Sequence, residues 1–220
     1  MANKKKHSEQ RAGKRKDRNS KYETREPLLA FYLIVTDAEK TERSYFEGLR
    51  DSIPKELQRR VVVHVEKAKT TYALLDKGEE LCDATAQQRI PWIVFDRDQV
   101  KDFDEMIRKA EGKDIHAGWS NPCFEIWMFA YFGTMPTIDN SISCIEKFKE
   151  RWKNFTGQEY QKNDTGIFRK LNEKGDYDKA YKLAEQNLIR SIKDGKSPSE
   201  AYPACTVHHL VKEIMDRIVR

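Results

Sequence analysis

Three groups of acidic residues follow short apolar segments of the sequence, and together they could bind divalent metal ions. The first is Asp37-Ala38-Glu39-Lys40-Thr41-Glu42, the second is Asp96-Arg97-Asp98, and the third ends in Glu125. Carboxylates that are brought close together repel one another unless cations lie between them. An oxygen-only ligand set suits Mg²⁺ or Mn²⁺, which can polarise a phosphodiester and activate water for in-line attack.

Each acidic group also has a purely structural interpretation. Asp-x-Asp after a strand is common in turns, and Asp37 could cap the next helix, with Glu39 or Glu42 favouring its positive end. Glu125 lies in an apolar segment, where a protonated or salt-bridged glutamate would avoid the cost of burying a free charge. The convergence of the three groups therefore carries more weight than any one of them.

An alternation of strand and helix patterns predicts where these groups lie. Apolar or β-branched runs predict buried strands at 30–35, 60–66, 91–95 and 115–119, with amphipathic helices between them. This βαβαβαβ order implies an α/β fold with an open, mainly parallel, doubly wound sheet. Ligands bind beyond the carboxyl ends of the strands in such sheets, which is where the acidic groups are expected.

The sequence becomes helical after Asn121. Asn121-Pro122 is expected to open an apolar helix over 122–132, with the asparagine as N-cap. Two or three polar helices are expected in 141–195, and an amphipathic helix begins near Val207; no fifth strand is expected. The predicted division is a flexible basic arm at 1–26, an α/β core at 27–135, and a helical C-terminal region at 136–220 packed on the core.

Composition excludes several classes of protein. The 220 residues are long enough for one sizeable core, and 38% hydrophobic residues place the chain above the disordered class. No apolar run approaches the roughly 18–20 residues that a membrane-spanning helix needs, and no secretory signal is visible. The four cysteines include no C-x-x-C pair, which argues against a disulfide framework and leads us to expect a cytoplasmic protein without membrane contact.

The net charge of +5 is concentrated in the predicted arm. Residues 1–26 contain ten Lys or Arg and four acids, a balance of +6, so the other residues sum to 5 − 6 = −1. The arm could attract phosphate backbones, and it could equally be a solvated terminus.

Other motifs give little support to other chemistry. His64 alternates within a strand pattern, and His208-His209 is expected at the surface of the last helix, so no zinc site is predicted at either position. The sequence contains no G-x-S-x-G, Walker loop or G-x-G-x-x-G, which leaves acyl-hydrolase, NTPase and dinucleotide-binding functions without support.

The same segments resemble the RloB-like proteins of the wider Toprim group over about residues 28–215. The resemblance rests on F-Y-L-I-V-T-D-A-E-K-T-E-x-x-Y-F, W-I-V-F-D-R-D and S-N-P-C-F-E-I-W, in the order of the family's motifs. The third matches the family signature S-N-P-C-F-E-x-W almost letter for letter. Tyr160-Gln161-Lys162 resembles a downstream Y-x-K, and residues 203–211 are similar to a closing P-x-T-x-V-x-x-L-V with one extra residue.

This resemblance implies a Toprim-like fold and metal-dependent phosphoryl transfer. It also implies a bacterial phage-defence effector that cuts DNA or RNA, often beside an ABC-type ATPase partner; a homo-oligomer is a further expectation. The residues implied to be catalytic are Asp37, Glu39 and Lys162, of which Lys162 would stabilise phosphate charge. The residues implied to bind Mg²⁺ or Mn²⁺ are Asp37, Glu42, Asp96, Asp98 and Glu125.

The first motif departs from the family pattern, which has Glu-Gly where this chain has Asp37-Ala38. The aspartate carboxylate reaches about 1.5 Å less far, the length of one C–C bond. Alanine also restricts close approach of the backbone to a phosphate. The leading hypothesis is a Toprim-type nuclease. The alternative is a catalytically weakened module that binds nucleic acid or a partner. A phosphate-transfer receiver is disfavoured because that fold usually has a fifth strand with a terminal lysine, which the sequence after residue 121 does not offer.

Overall fold

The computed structural model describes residues 30–67 and 72–217, so the predicted basic arm at 1–26 lies outside the described residues. Within them, five strands form one sheet in the order β2-β1-β3-β4-β5. The strands are β1 (Phe31–Thr36), β2 (Val61–Val65), β3 (Arg89–Asp96), β4 (His116–Asn121) and β5 (Ala204–Cys205). The first four are parallel and β5 is antiparallel to β4, which confirms the predicted α/β fold.

Eight α-helices flank the sheet in the described part of the chain. They are α1 (Thr41–Ser52), α2 (Ala73–Asp83), α3 (Phe103–Glu111), α4 (Glu125–Ala130), α5 (Ser141–Thr156), α6 (Ile167–Lys174), α7 (Tyr177–Lys193) and α8 (Val207–Asp216). The helices α2 and α3 pack on one face of the sheet, while α1 and the C-terminal helices share a core with the other face. None of the helices described is long and apolar enough to span a bilayer.

The ends of α5 and α7 follow from local sequence. Asn140 caps α5 by accepting a hydrogen bond from the Ser143 backbone N–H (2.8 Å), and Asp176 caps α7 by accepting one from the Lys179 N–H (3.0 Å). The helix α5 ends at Gly157, whose φ of 71° lies in the left-handed region that glycine adopts most readily.

The predicted start and the predicted N-cap of the helix at 122–132 are both wrong. The helix α4 begins at Glu125, with Phe124 in the N-cap position. Asn121 instead ends β4, and its side-chain Nδ2 donates to the carbonyl oxygens of Pro198 and Ser199, both at 3.0 Å. Asn121 lies three residues before the N-cap position of α4, so its side chain does not cap this helix.

The expectation of no fifth strand is also wrong. The strand β5 pairs with Ser120 and Asn121 of β4, and it ends at Cys205. Thr206 extends the pairing, because its N–H donates to the Trp119 carbonyl while its Oγ1 accepts from the Trp119 N–H, both at 2.9 Å. Two residues are too few to produce a strand pattern in the sequence.

A buried polar network joins α1 to α4 in the centre of the core. Trp127 Nε1 donates to the Tyr45 hydroxyl (2.9 Å), which lies 2.8 Å from the Tyr131 hydroxyl. Buried polar groups are costly unless they are paired. The network therefore favours one relative placement of the two helices whose first turns carry Glu42 and Glu125.

Close packing of α1 on α6 makes Gly48 sensitive to substitution. A Cβ atom at Gly48 would lie 2.7 Å from Phe168 Cβ. We expect Gly48→Ala to lower the free energy of unfolding by about 1–3 kcal/mol through overpacking, although alanine is the better helix former by about 1 kcal/mol. Urea unfolding measures the change.

Gly78→Ala is the matched control, because a Cβ there would lie 3.5 Å from Ile115 Cδ1, an ordinary contact. This variant should be as stable as the parent protein or more stable. A Gly48→Ala protein that matched the stability of the Gly78→Ala protein would contradict the described packing.

Candidate active site

A cavity of about 180 Å³ lies at the carboxyl ends of β1 and β3. Three acidic side chains in its wall are almost fully buried: Glu42 is 6% exposed, Asp96 is 7% exposed and Glu125 is 2% exposed. They come from the first turn of α1, the end of β3 and the start of α4. The rest of the lining is Ala38, Glu39, Lys40, Thr41, Asp98, Gln99, Cys123, Ser141, Ile145 and Lys162.

Burial and the neighbouring carboxyl groups raise the pKa values of Glu42 and Asp96. Burial, followed by repulsion from Glu125, raises the pKa of Glu42 to about 8. Burial and the charges of Glu42, Glu125 and Asp98 hold the pKa of Asp96 well above its usual range. Near neutral pH, the three carboxyl groups therefore cannot all be ionised unless a bound cation compensates their charge. Without a cation, the cluster retains protons.

Asp96 also has an unused acceptor that faces no protein donor. Its Oδ1 is buried and makes no hydrogen bond within the described residues, and the same holds for the Oγ of Ser120. Asp96 and Ser120 are register partners on β3 and β4, so their side chains extend from the same face of the sheet. Buried oxygens without partners, next to two further carboxylates, are a donor set that fits a hard cation such as Mg²⁺ or Mn²⁺.

Glu125 is held by residues from the C-terminal region. The Tyr160 hydroxyl donates to Glu125 Oε1 (2.9 Å) and lies 3.1 Å from Thr41 Oγ1, while Lys162 Nζ lies 3.8 Å from Glu125 Oε1. Lys162 is about half exposed and Tyr160 is buried. The structural interpretation of Glu125, in which the buried glutamate is paired, is therefore confirmed in part: the side chain accepts a hydrogen bond from Tyr160 and has a longer ion pair with Lys162. Sequence reasoning gave Tyr160 no role, because nothing in its spacing shows that it reaches Glu125.

Asp37 and Glu39 lie at the margin of the cavity. The lining begins at Ala38, the residue after Asp37. Asp37 is half-buried, and burial, with repulsion from Asp98, raises its pKa. It does not cap α1, because Lys40 occupies the N-cap position. Glu39 is exposed, and its ion pair with Lys67 lowers the pKa of its carboxyl.

Asp98 lies at the open side of the same cavity. It is exposed and belongs to a short 3₁₀ turn at Arg97–Gln99 that directly follows β3. The structure thus brings Glu42, Asp96 and Glu125 together in the buried part of the cavity, with Asp98 and Lys162 at its exposed part.

Of the two adjacent histidines, His209 is partly exposed as expected, whereas His208 differs from expectation. His208 is fully buried rather than at the surface, and the Nε2 atoms of His208 and His209 both lie 2.8 Å from Glu185 Oε2. Burial and the neighbouring His209 lower the pKa of His208 to about 4. The carboxylate that draws the two rings together comes from α7, which the spacing of the histidines alone does not reveal. His64 lies in β2, as expected.

Comparison with known protein families identifies the chain. The family model described as RloB-like protein matches residues 32–214. The chain belongs to the RloB-like protein family. The match includes every residue that lines the acidic cavity, so the candidate site of this RloB-like protein lies inside the family domain. The comparisons with curated proteins and with solved structures found no match.

The raised pKa of Glu42 predicts a pH-dependent gain in stability for Glu42→Gln in the presence of EDTA. In the unfolded chain Glu42 loses its proton near pH 4.5, but in the folded protein it does so near pH 8. Between about pH 4.5 and about pH 8, the carboxyl group is ionised in the unfolded chain but protonated in the folded protein. The contribution of Glu42 to the free energy of unfolding is therefore highest below about pH 4.5 and falls as the pH rises. We expect the variant to melt at a higher temperature than the parent at about pH 8 and at nearly the same temperature at about pH 4.

The gain at about pH 8 should be on the order of 1 kcal/mol or more, since a tenfold change in proton affinity corresponds to about 1.4 kcal/mol. Glu56→Gln is the control, because Glu56 is exposed and its substitution should leave the pH profile unchanged. A Glu42→Gln protein that is less stable than the parent at about pH 8 would refute the electrostatic account.

Proposed function

We propose that this RloB-like protein is a divalent-cation-dependent nuclease that uses a Toprim-type acidic site. The observation that supports the proposal is the convergence of Glu42, Asp96 and Glu125 in one cavity with a buried, unpaired Asp96 Oδ1. These three carboxylates, with Asp98 at the open side and Asp37 at the margin, would hold Mg²⁺ or Mn²⁺. When bound, such an ion polarises a phosphodiester and lowers the pKa of its attacking water.

The protein's own residues would position the substrate and neutralise charge. Tyr160 holds Glu125 through a 2.9 Å hydrogen bond, which fixes the carboxylate for its role. Lys162 would place its ammonium against the developing charge on the phosphate oxygens. Asp37, with its raised pKa, and Glu39 are the candidates for accepting the proton of the attacking water.

The dimensions of the cavity fit a single phosphate group rather than a whole nucleotide. A volume of about 180 Å³ accommodates ions and one phosphate group, while the remainder of the substrate would lie across the surface. Lys40 and Lys162 line the cavity as cations, and the ten basic residues of 1–26 would add sequence-independent attraction to DNA or RNA. On the basis of the family resemblance, we extend the proposal to a role in phage defence, with an ABC-type ATPase as the partner.

The first test is cleavage by the double variant Asp96→Asn/Asp98→Asn. Duplex DNA, single-stranded DNA, total RNA and tRNA are incubated with the full chain in Mn²⁺, Mg²⁺ or EDTA. We expect cation-dependent cleavage by the parent and a loss of at least about 100-fold in the variant, because two carboxylates of the proposed metal site are neutralised.

Asp51→Asn/Asp83→Asn is the matched control, because it removes the same charge from exposed helix positions. This control should cleave as the parent does. Cleavage by Asp96→Asn/Asp98→Asn at the parental rate would refute the metal assignment.

The second candidate function is a binding module with weakened catalysis. It is favoured by one observation: the cavity lining begins at Ala38, so the shorter Asp37 is not part of the wall. Asp37→Glu/Ala38→Gly restores the family pair, which extends the carboxylate by about 1.5 Å. If the natural site is weakened, the double variant should cleave at least about tenfold faster than the parent under the same conditions, and Asp51→Glu should not.

An unchanged or lower rate in the restored variant would instead mean that Asp37-Ala38 already serves the active site. This result would exclude the weakened-module alternative for a parent protein that cleaves.

A further inference from the structure

The first turn of α8 and the middle of α7 bring together three side chains that the proposed nuclease site does not use. His208 Nε2 and His209 Nε2 each lie 2.8 Å from the same Glu185 Oε2. One ligand atom from each of the three side chains lies within 4.8 Å of the others. His208 is fully buried, whereas the side chains of His209 and Glu185 are 41% and 32% exposed.

We propose that Glu185, His208 and His209 bind a zinc-class divalent ion at a site distinct from the acidic cavity. Two imidazole nitrogens and one carboxylate oxygen form a ligand set that suits Zn²⁺ and Co²⁺ but not Mg²⁺. The donors of a tetrahedral zinc site are separated by about 3.3 Å, given Zn–N bonds of about 2.0 Å. The two 2.8 Å contacts between the imidazole nitrogens and Glu185 Oε2 would therefore lengthen by about 0.5 Å when the ion binds.

The surroundings of His208 hold its ring in the orientation that the site requires. Its Nδ1 lies 3.7 Å from Cys205 Sγ, and the ring packs against Tyr181 and Trp127, with centroid separations of 5.4 and 6.2 Å. Metal-binding histidines commonly have a polar partner on the second ring nitrogen, which fixes the ring and its tautomer. Packing and the Cys205 contact therefore leave Nε2 directed at Glu185.

The site is accessible and joins two separate helices. The side chains of His209 and Glu185 are both partly exposed, so ions from solvent can reach these two donors. Glu185 belongs to α7 and the two histidines belong to α8, so a bound ion would cross-link these helices.

The test is a titration with Co²⁺ followed by visible absorption, with the full chain carrying Asp96→Asn to weaken the acidic cavity as a competing site. We expect a single ion per chain, the strong d–d absorption of low-coordinate cobalt, and displacement of the cobalt by Zn²⁺. His209→Gln should weaken Co²⁺ binding by on the order of 100-fold or more. His64→Gln is the matched control, since it removes a half-buried histidine of β2, and it should bind Co²⁺ as the parent does.

Glu185→Gln provides a second ligand variant, and Zn²⁺ should raise the melting temperature of the parent but of neither ligand variant. Equal Co²⁺ affinity in the parent and in both ligand variants would overturn the proposal, as would the absence of a cobalt spectrum in the parent. In either case the three side chains would form only a hydrogen-bonded cluster in which two imidazoles donate to one carboxylate.

Discussion

The electrostatic cost of placing Glu42, Asp96 and Glu125 in one small cavity is the constraint on which the rest of the site depends. Each carboxyl group is at least nine-tenths buried, and like charges in such surroundings disfavour ionisation strongly. A chain that was free to relax would separate them or expose them to water. They stay together because β3 and the first turns of α1 and α4 are anchored in apolar cores that bury whole strands and helices. The hydrophobic core thus supplies the free energy that holds the acidic cluster, as expected of a functional site rather than a stabilising one.

Sheet topology explains why residues so distant in sequence share this cavity. The strands β1 and β3 are adjacent and parallel at the centre of the sheet. The segments that follow them therefore begin side by side at the same edge of the sheet. The C-terminal region then completes the site, since Tyr160 and Lys162 both approach Glu125 from the segment between α5 and α6. The strands and α1 alone would leave Glu125 with fewer partners, and its carboxylate would be less well oriented.

The parts of this structure that could be predicted from sequence are those with a long, regular pattern. The runs at 30–35 and 91–95 are apolar at every position, as in strands buried on both faces, and the structure has β1 and β3 there. Prediction failed where a single distant contact decides the outcome. Asn121 holds the carbonyls of Pro198 and Ser199 rather than capping a helix. His208 is buried against Trp127 and Tyr181, and its Nε2 is paired with Glu185 of another helix. The strand β5 is too short to leave a pattern. The acidic cluster was foreseen because strand ends are shared by topology, whereas Tyr160 was missed because its reach depends on the path of α5.

Under the proposed function, the departure at Asp37-Ala38 would affect catalysis and cation binding differently. Three buried carboxyl groups remain in the cavity without Asp37, and the unpaired Asp96 Oδ1 is among their oxygens, so most of the proposed ligand oxygens are independent of Asp37. Asp37 itself is half-buried beside Asp98, and its raised pKa places it closer to the range in which a carboxylate can exchange protons. A shorter side chain at this position would therefore disturb the transfer of a proton at the margin of the cavity more than the binding of an ion in its interior. Under the proposed function, the substitution at this position would therefore lower the rate of the chemical step more than the affinity for the cation.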